Sequence, residues 1–292
     1  MASMTAHRPF TKPIARHAMA IKALDPADWL EFGADRQHQM QARRQLLNER
    51  PDDVLANLPG SEAGQAELLA LVLEHLKHHA TDLYRIEAGA ALELSSDLEI
   101  PTAGPLPLDV VGRLVQEDFC LLQKREERYQ LVAAVLCFPA HWFLSEKIGR
   151  PLLDIHEPVP GFAEQLGDPV ERLFEKLDPV RPVQRLNWSL VDTDVLYLPP
   201  SHRTEQVKPD VVAIRLRVER QTLRRLPISG DVVFGIRTHV TPLSDVIDTP
   251  EAADALIQRL HELPDPMRIY KNLVTIREPL LAFLERRRAD ML

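Results

Sequence analysis

The chain reads as an α+β protein: an antiparallel sheet with crossover helices, flanked by N- and C-terminal helices. Three observations predict this class. Helical periodicity dominates the stretches between 36 and 79 and between 250 and 288. Short strand-like runs cluster between 119 and 240. A helix-like stretch, 141–176, divides those runs into a pair and a trio, where a tight turn would have kept them contiguous.

Taken in order, residues 1–25 form an extended arm, with Pro9 and Pro13 interrupting helix formation. Asp25-Pro26 is a helix start, an Asp cap followed by Pro at the first helical position. A helix over 36–49 follows, ending before Pro51. Another begins at Gly60-Ser61-Glu62, where Leu68, Leu69, Val72, Leu73 and Leu76 keep a period of 3.6. It carries His75 and His79, four apart and on one face, with no third metal ligand in the sequence nearby. The Pro/Gly/Ser-rich run 95–108 separates an N-terminal arm and helical region, 1–104, from a central domain, 105–248. C-terminal helices, 249–292, pack on that core.

In the central domain, 119–123 and 130–138 are apolar strands joined by a charged hairpin turn over 124–128. Helical pieces follow at 141–148, 152–156 and 169–176, the last with an Asp168-Pro169 start. Strand character returns at 187–190, 211–223 and 231–240. Val212, Ile214, Leu216 and Val218 share one strand face; Ala213, Arg215, Arg217 and Glu219 share the other. Helices resume over 252–263 and, after Pro264-Asp265-Pro266, over 268–288. Two strands, a helical crossover and three more strands is the order of a PAS-like sheet, in which crossover and sheet enclose a pocket.

Composition narrows the function classes. The 292 residues carry a net charge of −8, which disfavours a nucleic-acid or anionic-membrane partner. Two cysteines, Cys120 and Cys137, both in apolar runs, make no disulfide framework and point to a reducing, cytoplasmic setting. No apolar run is long enough for a secretory leader or a membrane span. GxSxG, HExxH, P-loop and GxGxxG signatures are missing, so electrons for any redox chemistry should come from another chain.

Four groups could carry chemistry. His156 stands between a helix-like run and Glu157-Pro158-Val159-Pro160-Gly161, whose prolines fix the chain as it leaves the imidazole. The polar strand face Arg215/Arg217/Glu219/Gln221, extended by Arg224, Arg225 and Arg237, should be paired, solvated or ligand-binding, and an arginine there can clasp a carboxylate. Glu117 and Asp118 are adjacent acids at a strand head, so one of them faces any given pocket. Trp188, beside Asn187, is either core or the wall of a cofactor slot.

The strings VQEDFCLL, CFPAHWFLSEKIGRPLLDIHEPVPGF, RLNWSL, RVERQTLRRLPISGDVVFGIRT and the YKN at Tyr270 resemble the haem-dependent oxidative N-demethylase oxygenase subunits, in order, over about residues 8–285. The resemblance implies a PAS-like core that binds haem b and acts on dimethylamine with O2, giving methylamine and formaldehyde. It further implies a separate flavin and iron–sulfur reductase fed by NADPH, and tetrahydrofolate as formaldehyde acceptor. Carried onto this chain, it makes His156 the iron ligand, with His141 and His239 as rivals. Arg217, Arg224, Arg237 and Trp188 become haem contacts, and Glu117, Asp118 and Glu219 the residues that hold the amine or deliver protons. A non-catalytic PAS-like sensor of haem or a small ligand is the alternative.

Overall fold

The computed structural model describes residues 7–11, 19–200 and 210–292, the side chains of 163–166 apart. The predicted Asp25 cap accepts from the Ala27 amide and opens a single 3-10 turn, Pro26–Asp28. Strand β1 (Lys22–Ala23) precedes it. Helix α1 (Arg36–Glu49) has the predicted bounds and ends where Pro51 opens the one-turn α2 (Pro51–Val54). Strand β2 (Leu55–Asn57) and helix α3 (Glu62–His79) follow. A three-stranded meander, β3 (Tyr84–Glu87), β4 (Ala90–Glu93) and β5 (Leu98–Pro101), then occupies part of the stretch expected to be a connection. Helix α4 (Pro107–Leu114) leads into the central hairpin.

That hairpin pairs β6 (Asp118–Arg125) with β7 (Arg128–Val135). Its turn is only Glu126 and Glu127, both at positive φ, the geometry that matches the right-handed twist of the strands it joins. The crossover contains a 3-10 turn at Leu144–Glu146, the one-turn α5 (Leu152–Ile155) and α6 (Phe162–Lys176). Helix α6 starts seven residues before the expected Asp168-Pro169 cap, and Pro169 lies inside it. Gly161, at φ 71°, makes the left-handed turn that launches the helix early, and the buried Phe162 anchors its first turn.

Strands β8 (Val183–Val191), β9 (Arg215–Arg225) and β10 (Val232–Pro242) complete the main sheet. Residues 211–213, expected in the strand, form a 3-10 turn capped by Asp210, which leaves Val212 at the surface. Beyond the short α7 (Leu243–Val246), Thr249 caps α8 (Pro250–Glu262). The expected long last helix is split into α9 (Asp265–Tyr270) and α10 (Arg277–Ala289); Asn272, in the left-handed region at φ 56°, turns the chain between them.

All seven strands of the main sheet pair antiparallel, in the order β1-β8-β9-β10-β6-β7-β2. The last strand, β10, therefore returns beside the first strand of the hairpin, and two short strands from the N-terminal region close the edges. Register fixes the faces. Arg185, Gln221 and Ile236 lie side by side, as do Asn187, Glu219 and Thr238. Leu122, Leu223 and Val232 on this face pack against Leu152, Phe174 and Leu177 of the crossover. On the other face, Phe119, Leu121 and Val233 meet Trp29 and the N-terminal helices, while Leu216 and Val218 meet α8 and α10. One core thus runs from Leu24 to Val233, across the boundary expected near residue 104. Both cysteines are buried free thiols, pushed up to about 12 by burial. Among the described residues no helix is long and apolar enough to cross a membrane.

Candidate functional site

The two faces of the sheet are not equally covered. On β9, Leu216, Val218, Arg220 and Thr222 are buried against the helices, whereas Glu219 and Gln221, pointing toward the crossover, are half-exposed. Their neighbours Arg185, Asn187 and Ser189 on β8 and Phe234 on β10 are half-exposed too. A central strand of an antiparallel sheet carries polar, half-open side chains only where something other than protein faces them or water reaches in. The polar strip is therefore the place to look for a ligand.

His156 lies close enough to this strip for Lys147 and Arg185 to act on its charge. It caps the one-turn α5, and its ring lies flat on Phe162, with centroids 4.3 Å apart and planes 11° from parallel. Nδ1 is 2.9 Å from the Leu152 carbonyl. A carbonyl can only accept, so Nδ1 carries the proton and Nε2 presents a lone pair. Nε2 makes no hydrogen bond among the described residues. Burial pushes the imidazole down to about 4, helped by Lys147 and Arg185 and opposed by the Leu152 bond, so it is neutral at ordinary pH. A neutral imidazole whose far nitrogen is tied to a backbone carbonyl is the form that binds a metal, oriented by its second hydrogen bond.

Glu219 is the electrostatic centre of the strip. Its Oε2 accepts from Gln221 Nε2 at 2.9 Å and from Asn187 Nδ2 at 3.3 Å. Four cations feel its charge: Lys147, Arg185, Arg217 and Lys271. Arg217 donates from its two terminal nitrogens to the carbonyls of Leu196 and Phe138, its Nε is buried without a partner among the described residues, and burial lowers its pKa. Among the described residues Arg185 donates no hydrogen bond and its Nε is buried without a partner, and burial lowers its pKa as well. Lys271 bonds the Trp188 carbonyl at 2.5 Å and is pushed down to about 8 by burial. Lys147 lies over the Trp142 ring, 4.3 Å from its centre. Asp118 also acts on Arg217 and Glu146 on Lys147, but Arg185 and Lys271 share Glu219 as the one carboxylate acting on them, an excess of positive charge that suits an anionic group.

The structure brings His156, Glu219 and Arg217 to one face. It sends Arg224 and Arg237 to the other. Arg224 lies over the Trp29 ring at 4.7 Å. Arg237, fully buried, holds Asp35 at 2.7 Å, Gln39 at 2.6 Å and the carbonyls of Glu31 and Thr238. Trp188 also points away, among the apolar residues packed on α8 and α10, with its ring edge toward Phe10. Glu117 is buried at the head of β6, accepting from the Glu31 amide, and burial raises its pKa. Asp118 is bonded to Arg43 at 2.6 Å and to the amides of Cys137 and Phe138.

His141 adopts φ 63° and its amide bonds the Leu198 carbonyl. His239 lies beside Glu31 on the helical face of the sheet, opposite His156. The His75 and His79 rings lie 4.7 Å apart and are tilted by 39°, with the His75 ring edge-on to Trp29, and no third ligand joins them among the described residues.

Arg185, Lys147 and Lys271 escaped the sequence reading. Arg185 lies two residues before Asn187, and alternation along a strand begun at Val183 in place of Asn187 puts it on the same face. Lys271 stands in the YKN string already noted, but its approach to β8 depends on the break between α9 and α10.

A haem needs an imidazole with a free nitrogen and cations for two propionates. His156 Nε2 meets the first requirement, and the unpartnered Arg185 with Lys147 and Lys271 meets the second. The whole-chain comparison agrees with that chemistry. Residues 20–281 match the family model described as haem-dependent oxidative N-demethylase, alpha subunit-like. With nine-tenths of its length inside that match, the chain belongs to the haem-dependent oxidative N-demethylase, alpha subunit-like family.

Proposed function

We propose that this chain is the oxygenase subunit of an enzyme that removes a methyl group oxidatively from a small secondary amine such as dimethylamine. O2 is the oxidant, and methylamine and formaldehyde are the products. The observation that carries the reading is the His156 Nε2, without a hydrogen bond among the described residues, near the cations Lys147 and Arg185 of a half-open strip of sheet. The spatial order of β8, β9, β10, β6 and β7, with the crossover between β7 and β8, supports a PAS-like core for it.

Haem b, when bound, supplies the activation of O2, which no side chain provides. His156 would hold its iron, and Arg185, Lys147 and Lys271 would meet its propionates. The remaining work belongs to the chain's own groups. Glu219 Oε2 is held by Asn187 and Gln221, which leaves Oε1 without a hydrogen bond among the described residues. Oε1 accepts a hydrogen bond from the substrate nitrogen and so orients the methyl group to be oxidised. Arg217, locked to two carbonyls, holds the floor beneath Glu219 and fixes its rotamer from below. Phe162 and Trp142 shield the imidazole and Lys147 from water.

Electrons come from a separate flavin and iron–sulfur reductase drawing on NADPH, and tetrahydrofolate captures the formaldehyde. The test is O2-dependent formaldehyde release from dimethylamine by haem-loaded protein with a chemical electron donor. Turnover supports the reading. A haem-loaded protein that consumes reductant without releasing formaldehyde from any small secondary amine overturns it.

A further inference from the structure

On the opposite face of the sheet three segments far apart in sequence converge. They are the N-terminal arm at His7, the loop before α1 at Glu31 and strand β10 at His239. His7 Nε2 lies 3.1 Å from Glu31 Oε1, and His239 Nε2 lies 3.4 Å from Glu31 Oε2. One donor atom from each of the three falls within 4.8 Å of the other two. Zinc bonds of about 2.0–2.1 Å place neighbouring tetrahedral ligands about 3.3 Å apart, close to each of these two nitrogen–oxygen separations, which run to the two oxygens of one carboxylate.

The donor atoms are otherwise idle. His239 Nε2 and Glu31 Oε2 are buried, and neither makes a hydrogen bond of normal geometry among the described residues. The two imidazoles meet edge to face, centroids 4.9 Å apart, an approach that leaves both nitrogens turned to the same carboxylate. Arg220 Nε, 3.5 Å from Oε2, opposes a cation, so the site should bind less tightly than a closed four-ligand zinc centre.

We infer that His7, Glu31 and His239 form a two-histidine, one-carboxylate site for a divalent first-row transition ion such as zinc, separate from the strip near His156. Bound there, the ion staples the arm to the sheet. Just after His7 the arm is already pinned by the Arg8–Asp248 ion pair and by the burial of Phe10 in the C-terminal core.

The test is metal content of the haem-loaded protein after dialysis against zinc, measured by elemental analysis and paired with thermal melting. Wild type should hold one zinc per chain and melt higher with zinc than with chelator. His7→Ala and His239→Ala should lose both the zinc and the shift. His79→Ala should keep both. His7 is half-buried on the arm, so its variant retains the fold even if His239→Ala does not. Equal zinc in wild type and His7→Ala, or no zinc in wild type, overturns the assignment.

Discussion

Asp118→Ala separates scaffold from chemistry at a residue whose position at a strand head suits either. Arg43 and Asp118 have side chains 0 % and 1 % exposed, and Nη1 meets Oδ1 at 2.6 Å. The carboxylate also accepts from the amides of Cys137 and Phe138, which closes the end of β7 onto the head of β6. Removing one partner of a buried ion pair strands the other charge and costs about 3–5 kcal/mol. Each orphaned buried amide adds about 1–3 kcal/mol, but the three losses share one site and do not sum. A total near 4–6 kcal/mol follows, comparable with the whole stability of many domains. At about 2–4 °C per kcal/mol, the melting temperature should fall by roughly 10–20 °C.

Urea and thermal unfolding followed by circular dichroism measure this directly. Arg43→Met/Asp118→Leu should recover the share that comes from the stranded Arg43 charge, because a well-packed apolar pair replaces a buried ion pair at little cost, but not the share of the two amides that lose their acceptor. Asp118→Asn, studied below its melting point, should turn over dimethylamine at close to the wild-type rate. An Asp118→Ala protein that melts within about 2 °C of wild type yet loses a hundredfold in turnover would refute this reasoning, for the carboxylate would then act on the reaction.

Three further outcomes are expected. Glu219→Gln should raise KM for dimethylamine tenfold or more, a loss of about 1.4 kcal/mol or more of amine binding, with the haem spectrum unchanged; equal steady-state kinetics would remove Glu219 from the amine site. Gly235→Ala should cost about 1–3 kcal/mol in urea unfolding, since an added Cβ would stand 2.6 Å from Thr222 Oγ1 and 2.9 Å from Phe119 Cε1 between paired strands. His75 is pushed from 6.5 to about 4 by burial first, with His79 and Arg224 adding to it. The unfolded chain therefore binds the extra proton between those values, and stability that is full above pH 6.5 declines as pH falls toward 4, by about 3 kcal/mol. His75→Leu should flatten the urea midpoint over that range; an unchanged slope would place the titration elsewhere.

The helices were legible because their signals are local. The period of Leu68, Val72 and Leu76 and the stop at Pro51 need no tertiary partner to be read. The hairpin was legible for the same reason, its turn marked by charge between two apolar runs. The meander from Tyr84 to Pro101 was not, because its strands are four residues long and mostly half-buried or exposed. Pro169 misled because proline is more common at a helix start than inside one, whereas here Gly161 had already set the backbone.

The site was legible in part. Alternation alone puts Arg217 and Glu219 on one face, and the structure keeps them there. It could not tell that Arg224, an even-numbered neighbour, and Arg237, an odd one on the next strand, share the other face, since that depends on the register between β9 and β10. Nor could any local pattern bring Lys271 to β8 from a distant helix end. His156 stood out through the prolines that follow it, but its chemical form rests on a carbonyl four residues earlier.

The central claim is that His156 Nε2 holds the iron. Its direct test is the visible spectrum of purified protein reconstituted with one equivalent of haem, compared with His156→Ala, His141→Ala and His239→Ala. The account predicts an intense Soret band in wild type and in the latter two variants, and loss of stoichiometric haem uptake in His156→Ala with its circular dichroism intact. A Soret band of wild-type position and intensity in His156→Ala would contradict it.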